Sequence, residues 1–201
     1  MKRDQNPERS PRRLCCRTES FLLSIAICFL GAPRPTPGSP PKQITAEYQV
    51  KATYLCNFTK FVEWPSVAFP AQDSTLTIGI VGEDPFGQAL DAVALSMTAD
   101  GHKVMVKRFS WDQDFRQSQV IFIGPSEKKH LSSILSSVKG ADVLTVSDIE
   151  NFSSSGGMIG LVFDVDRIRF EINLDPVLDS HLRISSKLLS LASTVKGKHT
   201  R

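Results

Sequence analysis

Between Ala46 and Trp64 the apolar positions Val50, Tyr54, Phe58 and Phe61 recur at intervals of four, four and three, the spacing of one helical face. Lys51 and Lys60 fall off that line, and Pro65 sets the expected end of the helix. "LTIGIVG" (76–82) then reads as a short buried strand. Asp84-Pro85 opens a second helix, with Asp84 as cap and Ala89, Leu90, Val93 and Ala94 as its apolar face. "KVMVKRF" (103–109) alternates like a half-buried strand, and "QVIFIG" (119–124) is apolar throughout. A third helix follows, with Ser126 as cap, Leu131, Ile134, Leu135 and Val138 facing inward, and Gly140 as its stop. "VLTVS" (143–147) is another strand. After a polar loop, "MIGLVFDVDRIRFEIN" reads as two strands, 158–163 and 167–173, joined by a tight Asp-rich turn. Asp175-Pro176 begins a last helix whose stripe is Leu178, Leu182, Leu189 and Ala192, with Ile184, Leu188, Leu191 and Val195 beside it. Strands alternating with helices, then a terminal hairpin and helix, predict an α/β three-layer sandwich with a mainly parallel sheet.

The first 43 residues stand apart. Six Lys and Arg residues, Lys2 to Arg17, precede "FLLSIAICFL" (21–30), a run too short to span a bilayer as a helix. A basic region, a short apolar run and then small residues read as a secretory signal peptide, so the mature chain is expected in the periplasm and not itself membrane-spanning. Ile25-Ala26-Ile27-Cys28 is a weak lipidation site because Ile27 is bulky, and Arg12-Arg13 lies far from the apolar run. "GAPRPTPGSPPK" (31–42) is a Pro-rich linker, suited to neither helix nor strand. The folded domain is then 44–196, and 197–201 is a polar tail expected to be loose.

Composition narrows the function. The net charge of +3 is small and partly confined to the leader, so the domain is near neutral and carries no general nucleic-acid footprint. Cys15, Cys16 and Cys28 lie in the leader, which leaves the domain with Cys56 alone, hence with neither an internal disulfide nor a cysteine metal site. Cys56 falls on an apolar helix, as a buried inert thiol does.

Chemistry-bearing motifs are few. Gly156-Gly157 leads into a strand, whereas a phosphate loop needs backbone N–H groups at a helix N-terminus; GxGxxG and GxxxxGK[ST] are both missing. The four histidines, His102, His130, His181 and His199, form no pair at zinc-ligand spacing, and no GxSxG elbow exists. Asp164 and Asp166 belong to a turn, and Asp148 with Glu150 reads as solvated loop charge. No nucleophile–base arrangement survives, so the chain reads as a binding protein without cofactor or metal rather than an enzyme.

The strand "RIRFEIN" is the exception to a bland surface. Arg169, Glu171 and Asn173 share one face, and Ile168, Phe170 and Ile172 take the other. The polar face is either solvated or lines a groove. Phe152 is an aromatic among serines in the preceding loop, and Ile159 and Phe163 lie on the adjoining strand. Phe152, Ile159, Phe163, Arg169, Glu171 and Asn173 are therefore the expected partner-binding residues, against the plainer reading that Phe152 tucks into the core and Arg169 pairs with a neighbouring carboxylate.

"VKATYLCNFTKFVEWP", "LTIGIVGEDPFGQAL", "LTVSDIENFSSSGGMIGLVFDVDRIRFEIN" and "LRISSKLLSLA" together resemble the YfiR family of exported bacterial proteins over about Tyr48 to Val195. That resemblance implies an α/β fold and no catalytic role. It implies a periplasmic repressor that sequesters the periplasmic sensor domain of a membrane diguanylate cyclase, or a related sensor, and so keeps cyclic di-GMP and biofilm formation low. It places partner contacts in the C-terminal region and leaves a homodimer open. The alternative is a periplasmic small-ligand-binding module serving a transporter or receptor. One departure stands out. Family members commonly carry a cysteine in the strand before the DPFG motif and another in the strand that here reads "QVIFIG"; Gly79 takes the first place and Ser118 or Gln119 the second. Their joint loss is what the resemblance implies for disulfide partners, and it removes the basis for redox control.

Overall fold

The sheet grows outward from a fully buried strand. In a computed structural model that describes residues 46–69 and 74–197, Leu76–Val81 (β2) has every residue buried. It pairs in parallel with His102–Phe109 (β4) on one side and Val120–Ile123 (β5) on the other. Leu144–Ser147 (β6) and Ile159–Asp164 (β7) extend the sheet in parallel, and Arg167–Asn173 (β8) turns back antiparallel to β7. Thr194–Lys196 (β10) closes one edge alongside β8, and Thr98–Ala99 (β3) the other alongside β4, giving the order β10-β8-β7-β6-β5-β2-β4-β3. Val62–Glu63 (β1) and Arg183–Ile184 (β9) form a separate two-stranded ribbon.

Alternation along the strands feeds two cores. Ile78, Ile80, Val120, Phe122, Leu144 and Val146 face one layer, where Ala46–Phe58 (α1) and Gln88–Leu95 (α2) pack. Val81, Ile121 and Ile123 face the other, under Leu131–Ser137 (α3). Strands buried on both faces favour apolar residues at consecutive positions, as in β5, while β2 and β6 also bury Thr77, Thr145 and Ser147. The three-layer α/β reading therefore holds.

Several element boundaries are corrected. The first helix stops at Phe58, not Trp64: Thr59 folds its hydroxyl back onto the Cys56 carbonyl at 2.6 Å, and the chain unwinds so that β1 can pair with β9. Its buried face is Lys51, Ala52, Leu55, Cys56 and Phe58, while Val50 is exposed. Asp84 serves a turn instead of capping directly; its carboxylate accepts from the N–H groups of Phe86 and Gly87, and α2 begins at Gln88. The Ser126 hydroxyl accepts from the Glu83 N–H within a 3-10 turn, and α3 starts only at Leu131.

The expected last helix is two. Leu174–Leu178 (α4) begins behind Asn173, whose side chain accepts from the Asp175 N–H. Ser186–Leu191 (α5) begins behind Ser185, whose side chain accepts from the Leu188 N–H. The segment between them supplies β9, and β10 follows α5.

At the second position implied for a family cysteine, Ser118 is the neighbour of Gly79: a Cβ on Gly79 would lie 3.1 Å from the Ser118 Oγ and 2.9 Å from the Phe109 ring. Gln119 is occupied otherwise, its amide bridging the Thr77 N–H and the Ala68 carbonyl. The edge of the Phe109 ring thus crowds the place a Cβ at position 79 would take. The expected signal peptide and linker and the end of the tail lie outside the described residues.

Candidate interaction surface

The loop between β6 and β7 answers the question of Gly156-Gly157. Phe152 turns inward and is 1% exposed, packed in the core under α3. A Cβ on Gly157 would sit 2.1 Å from the Phe152 ring, so only glycine fits beneath it. Gly156 has φ of 99°, and Gly157 N–H returns to the Phe152 carbonyl. These glycines allow close packing and a left-handed turn.

Ser153, buried beside Phe152, ties the loop to the hairpin. Its hydroxyl donates to Glu171 Oε2 at 2.6 Å, and its carbonyl accepts from the Asn173 side-chain amide at 2.8 Å. Lys196 from β10 donates to the same Glu171 oxygen at 2.9 Å and to the hydroxyls of Ser153 and Ser154. The Ser153 hydrogen bond, with Lys196 behind it, holds the Glu171 carboxyl below its ordinary range.

The expected partner-binding residues therefore separate by environment. Glu171 and Asn173 belong to an internal network. Phe152 and Ile159 are buried, which corrects the expectation that they stand exposed as anchors. Arg169 lies 2.8 Å from Asp164, its Nε off the line of a hydrogen bond, so the contact is a charge pairing. Phe163 is 59% exposed. Around it stand Val162 and Val165, also exposed. Asp164 pairs with Arg167 across a two-residue turn, and both turn residues, Val165 at φ 39° and Asp166 at φ 65°, are left-handed. That turn favours Asn, Asp or Gly. A β-branched valine there is sterically disfavoured, and at 83% exposure its side chain gains little burial in return.

Sequence reasoning missed a polar cluster where β6 ends. Asp148 is no solvated loop charge: its side chain and that of Lys51 are each 5% exposed, and Lys51 Nζ stands 2.6 Å from Asp148 Oδ2. Glu47 also meets Lys51, at 2.5 Å, and the Tyr48 hydroxyl donates to Asp148 at 2.9 Å. Burial, then the Asp148 hydrogen bond, pushes the Tyr48 phenol up. Asp148 Oδ1 is buried and makes no hydrogen bond. A long sequence separation concealed this pair; the only signal was a lysine one position from the predicted apolar stripe. Among the described residues no group of His, Cys, Asp and Glu could hold a metal ion, and no helix is long and apolar enough to cross a membrane.

A cavity of about 300 Å³ opens between the 148–153 loop, β7, Glu171 and Lys196. A second hollow of about 340 Å³, mostly apolar, lies between α1 and α5, lined by Tyr54, Phe58, Phe61, Phe170, Leu188 and Leu191 among others.

A solved structure of a conserved domain protein from Vibrio cholerae O1 biovar El Tor strain N16961 shares the fold, with a TM-score of 0.54 at 12% identity. The match covers 72% of this chain and 60% of that one, so this chain spans about three fifths of that protein's length. The YfiR/HmsC-like family profile matches residues 48–193, from the first turn of α1 to the residue before β10. That span holds both cores, the hairpin and its supporting loop, and on it the chain belongs to the YfiR/HmsC-like family.

Proposed function

We infer that this chain is exported to the periplasm and represses a membrane diguanylate cyclase by binding the periplasmic sensor domain of that enzyme. The family is one of periplasmic regulators of the diguanylate cyclase system and is regulatory rather than catalytic. The observation that carries the reading on this chain is the tip of the β7–β8 hairpin. Val162, Phe163 and Val165 present apolar side chains to solvent on a rigid two-stranded projection, and the turn keeps a valine in a conformation that glycine or asparagine would occupy with less strain. Arg169, across from Val162, pairs with Asp164 and supplies charge on one face of the ribbon, while Phe163, across from Ile168, stands on the other.

The test measures affinity of the purified domain for periplasmic domains of membrane diguanylate cyclases, with thermal unfolding of each variant in parallel. Phe163→Ala and Arg169→Glu should leave the domain folded. Truncating an anchor at the centre of an interface costs about 2 kcal/mol or more in binding. Unchanged affinity in both variants removes the hairpin tip from the interface. An absence of binding to every such domain removes the cyclase as partner.

A further inference from the structure

The sheet is left open along β4. β3 is two residues long and pairs only with His102 and Lys103, across a tight turn at Asp100 and Gly101. Past Lys103 that side of β4 has no neighbour among the described strands. The direction of its backbone groups follows from the other side. The Gly82 N–H donates to the Phe109 carbonyl, so Phe109 faces β2, and by the two-residue period of a strand so do Met105 and Lys107. Val106 and Arg108 therefore turn their N–H and C=O groups outward, and no described residue hydrogen-bonds to those groups. Unpaired groups along an edge are a template for another strand, and proteins ordinarily shorten, bend, cover or charge such an edge. Here β3 covers the start of β4 and leaves the rest.

Side chains decide what the edge accepts. Val104 and Val106 face the core under α1 and α2. Lys103, Met105 and Lys107 point to the opposite face, and all three are exposed, so the layer that holds α3 does not cover them. Neither lysine makes an ion pair with a described residue. Arg108 differs, because its guanidinium folds onto Asp84, Asp91 and the Gly87 carbonyl. The unpaired charge along the edge is thus positive, on both sides of an exposed methionine. That pattern argues against a second copy of the chain. Antiparallel pairing of Val106 with Arg108 of the copy sets Lys107 directly against its counterpart, and like charges directly opposite are destabilising.

We propose that the open edge of β4 binds an extended acidic segment of another protein as an added strand, with main-chain hydrogen bonds to Val106 and Arg108, acidic side chains beside Lys103 and Lys107, and an apolar one beside Met105. Main-chain bonds supply the affinity of an added strand, and alternate side chains supply its specificity. The lysines that repel a copy select the acidic partner. The edge lies at the far end of the sheet from the β7–β8 hairpin, with β6, β5 and β2 between, so the inference does not rest on what the hairpin tip binds.

The experiment titrates the purified protein with acetyl-Thr-Glu-Thr-Val-Thr-Glu-Thr-amide and with the peptide in which both glutamates are lysine, and follows amide shifts and amide exchange along β4 by NMR. In the free protein the amides of Val106 and Arg108 should exchange faster than those of Met105 and Lys107, and the acidic peptide should slow them. It should bind with a Kd of about 1 mM or tighter. The basic peptide should bind about fivefold more weakly or worse, since two attractive cross-strand pairs become repulsive. The double variant Lys103→Glu, Lys107→Glu changes exposed positions only and should reverse the preference. Two further peptides carry N-methyl groups on alternate residues, one set each. The set that faces β4 should abolish binding, and the set that faces solvent should not. Should the double variant fail to fold, the methylated pair decides. No binding of the acidic peptide below about 10 mM, equal affinity for both charges, an unchanged preference in the folded double variant, or equal binding of the two methylated peptides overturns the proposal. So does a self-associating protein whose Val106 and Arg108 amides are already protected, which assigns the edge to a second copy.

Discussion

Lys51→Met should cost this domain more stability than a substitution at any exposed position of α1. Lys51 Nζ and Asp148 Oδ2 are 2.6 Å apart, and each side chain is 5% exposed. At that distance and an effective dielectric of roughly 20 the attraction is about 6 kcal/mol. Taking the two ions out of water costs several kcal/mol each, so the pair is close to neutral in net terms. The damage from one substitution comes from what remains. Asp148 would stay buried, held by the Tyr48 hydroxyl and with Oδ1 already lacking a donor. Breaking a buried pair from one side costs about 3–5 kcal/mol. In a domain of this size each kcal/mol lowers Tm by about 2–4 °C, which gives a fall of about 6–20 °C. The double variant Lys51→Met, Asp148→Leu removes both charges and should recover at least half of that loss, because apolar replacement of a whole buried pair is often neutral. Urea and thermal unfolding of wild type, both single variants and the double variant at neutral pH complete the cycle. A loss below about 1 kcal/mol in Lys51→Met, or a double variant no more stable than Lys51→Met, refutes the reasoning.

Val165→Gly should raise stability by about 1 kcal/mol, since glycine adopts the left-handed turn without the steric cost of a valine, and should weaken sensor-domain binding; a less stable variant in urea unfolding would contradict the turn geometry. Glu171 has a folded pKa below its ordinary 4.5, so the stability it lends is present above that value and drains away as pH falls through the folded value; amide exchange in β10 should quicken there, and Glu171→Gln should flatten the dependence. Cys56 is buried with its thiol pushed up to about 12, mainly by desolvation, so a thiol reagent at neutral pH should label it only in denaturant. Protein recovered from native periplasm should begin between about Ala32 and Gln43 by N-terminal sequencing, and an intact Met1 on such material would contradict signal-peptide cleavage.

Where the chain supplies its own partners nearby, the sequence was legible. β2, β5 and β6 are buried on both faces, so they read as short runs that are apolar or small and polar with no charge, and the β7–β8 hairpin shows as two alternating stretches around a turn. The C-terminal stripe misled for a physical reason. Leu182 and Leu188 do reach the main core, but one from the segment between α4 and β9 and the other from α5, and Leu178 and Leu191 stay exposed. A helical period counts apolar residues without asking where the backbone hydrogen bonds go, and β9 exists because β1, more than a hundred residues earlier, is there to pair with it. Lys51 was hidden in the same way. Off-stripe lysines on helices are ordinarily solvated, and nothing local announces a carboxylate 97 positions away. Of the expected partner-binding residues, the alternation of Arg169, Glu171 and Asn173 against Ile168, Phe170 and Ile172 was readable, but exposure was not: a phenylalanine looks the same in sequence whether it points out, as Phe163 does, or in, as Phe152 does.

That difference sets how a mutational study of this surface must be read. Phe152 fills the core under α3, Gly157 fits only beneath its ring, and Ser153, Glu171, Asn173 and Lys196 lock the loop to β8 and β10. Substituting any of these shifts the support of the hairpin, and lost repression would report a displaced tip as readily as a lost contact. Phe152→Ala in particular should cost about 3–5 kcal/mol in stability before any partner is added. Phe163 and Val165 are different. They are exposed at the end of the projection, so a change there alters what a partner meets while leaving both cores as they were. A site held by packed neighbours and a hydrogen-bonded network presents its anchors with little freedom to lose on binding, which favours affinity. If the tip is the interface, the ratio of binding loss to stability loss should be large at Phe163 and small at Phe152. A ratio that is the same at both positions would place the interface elsewhere on the domain.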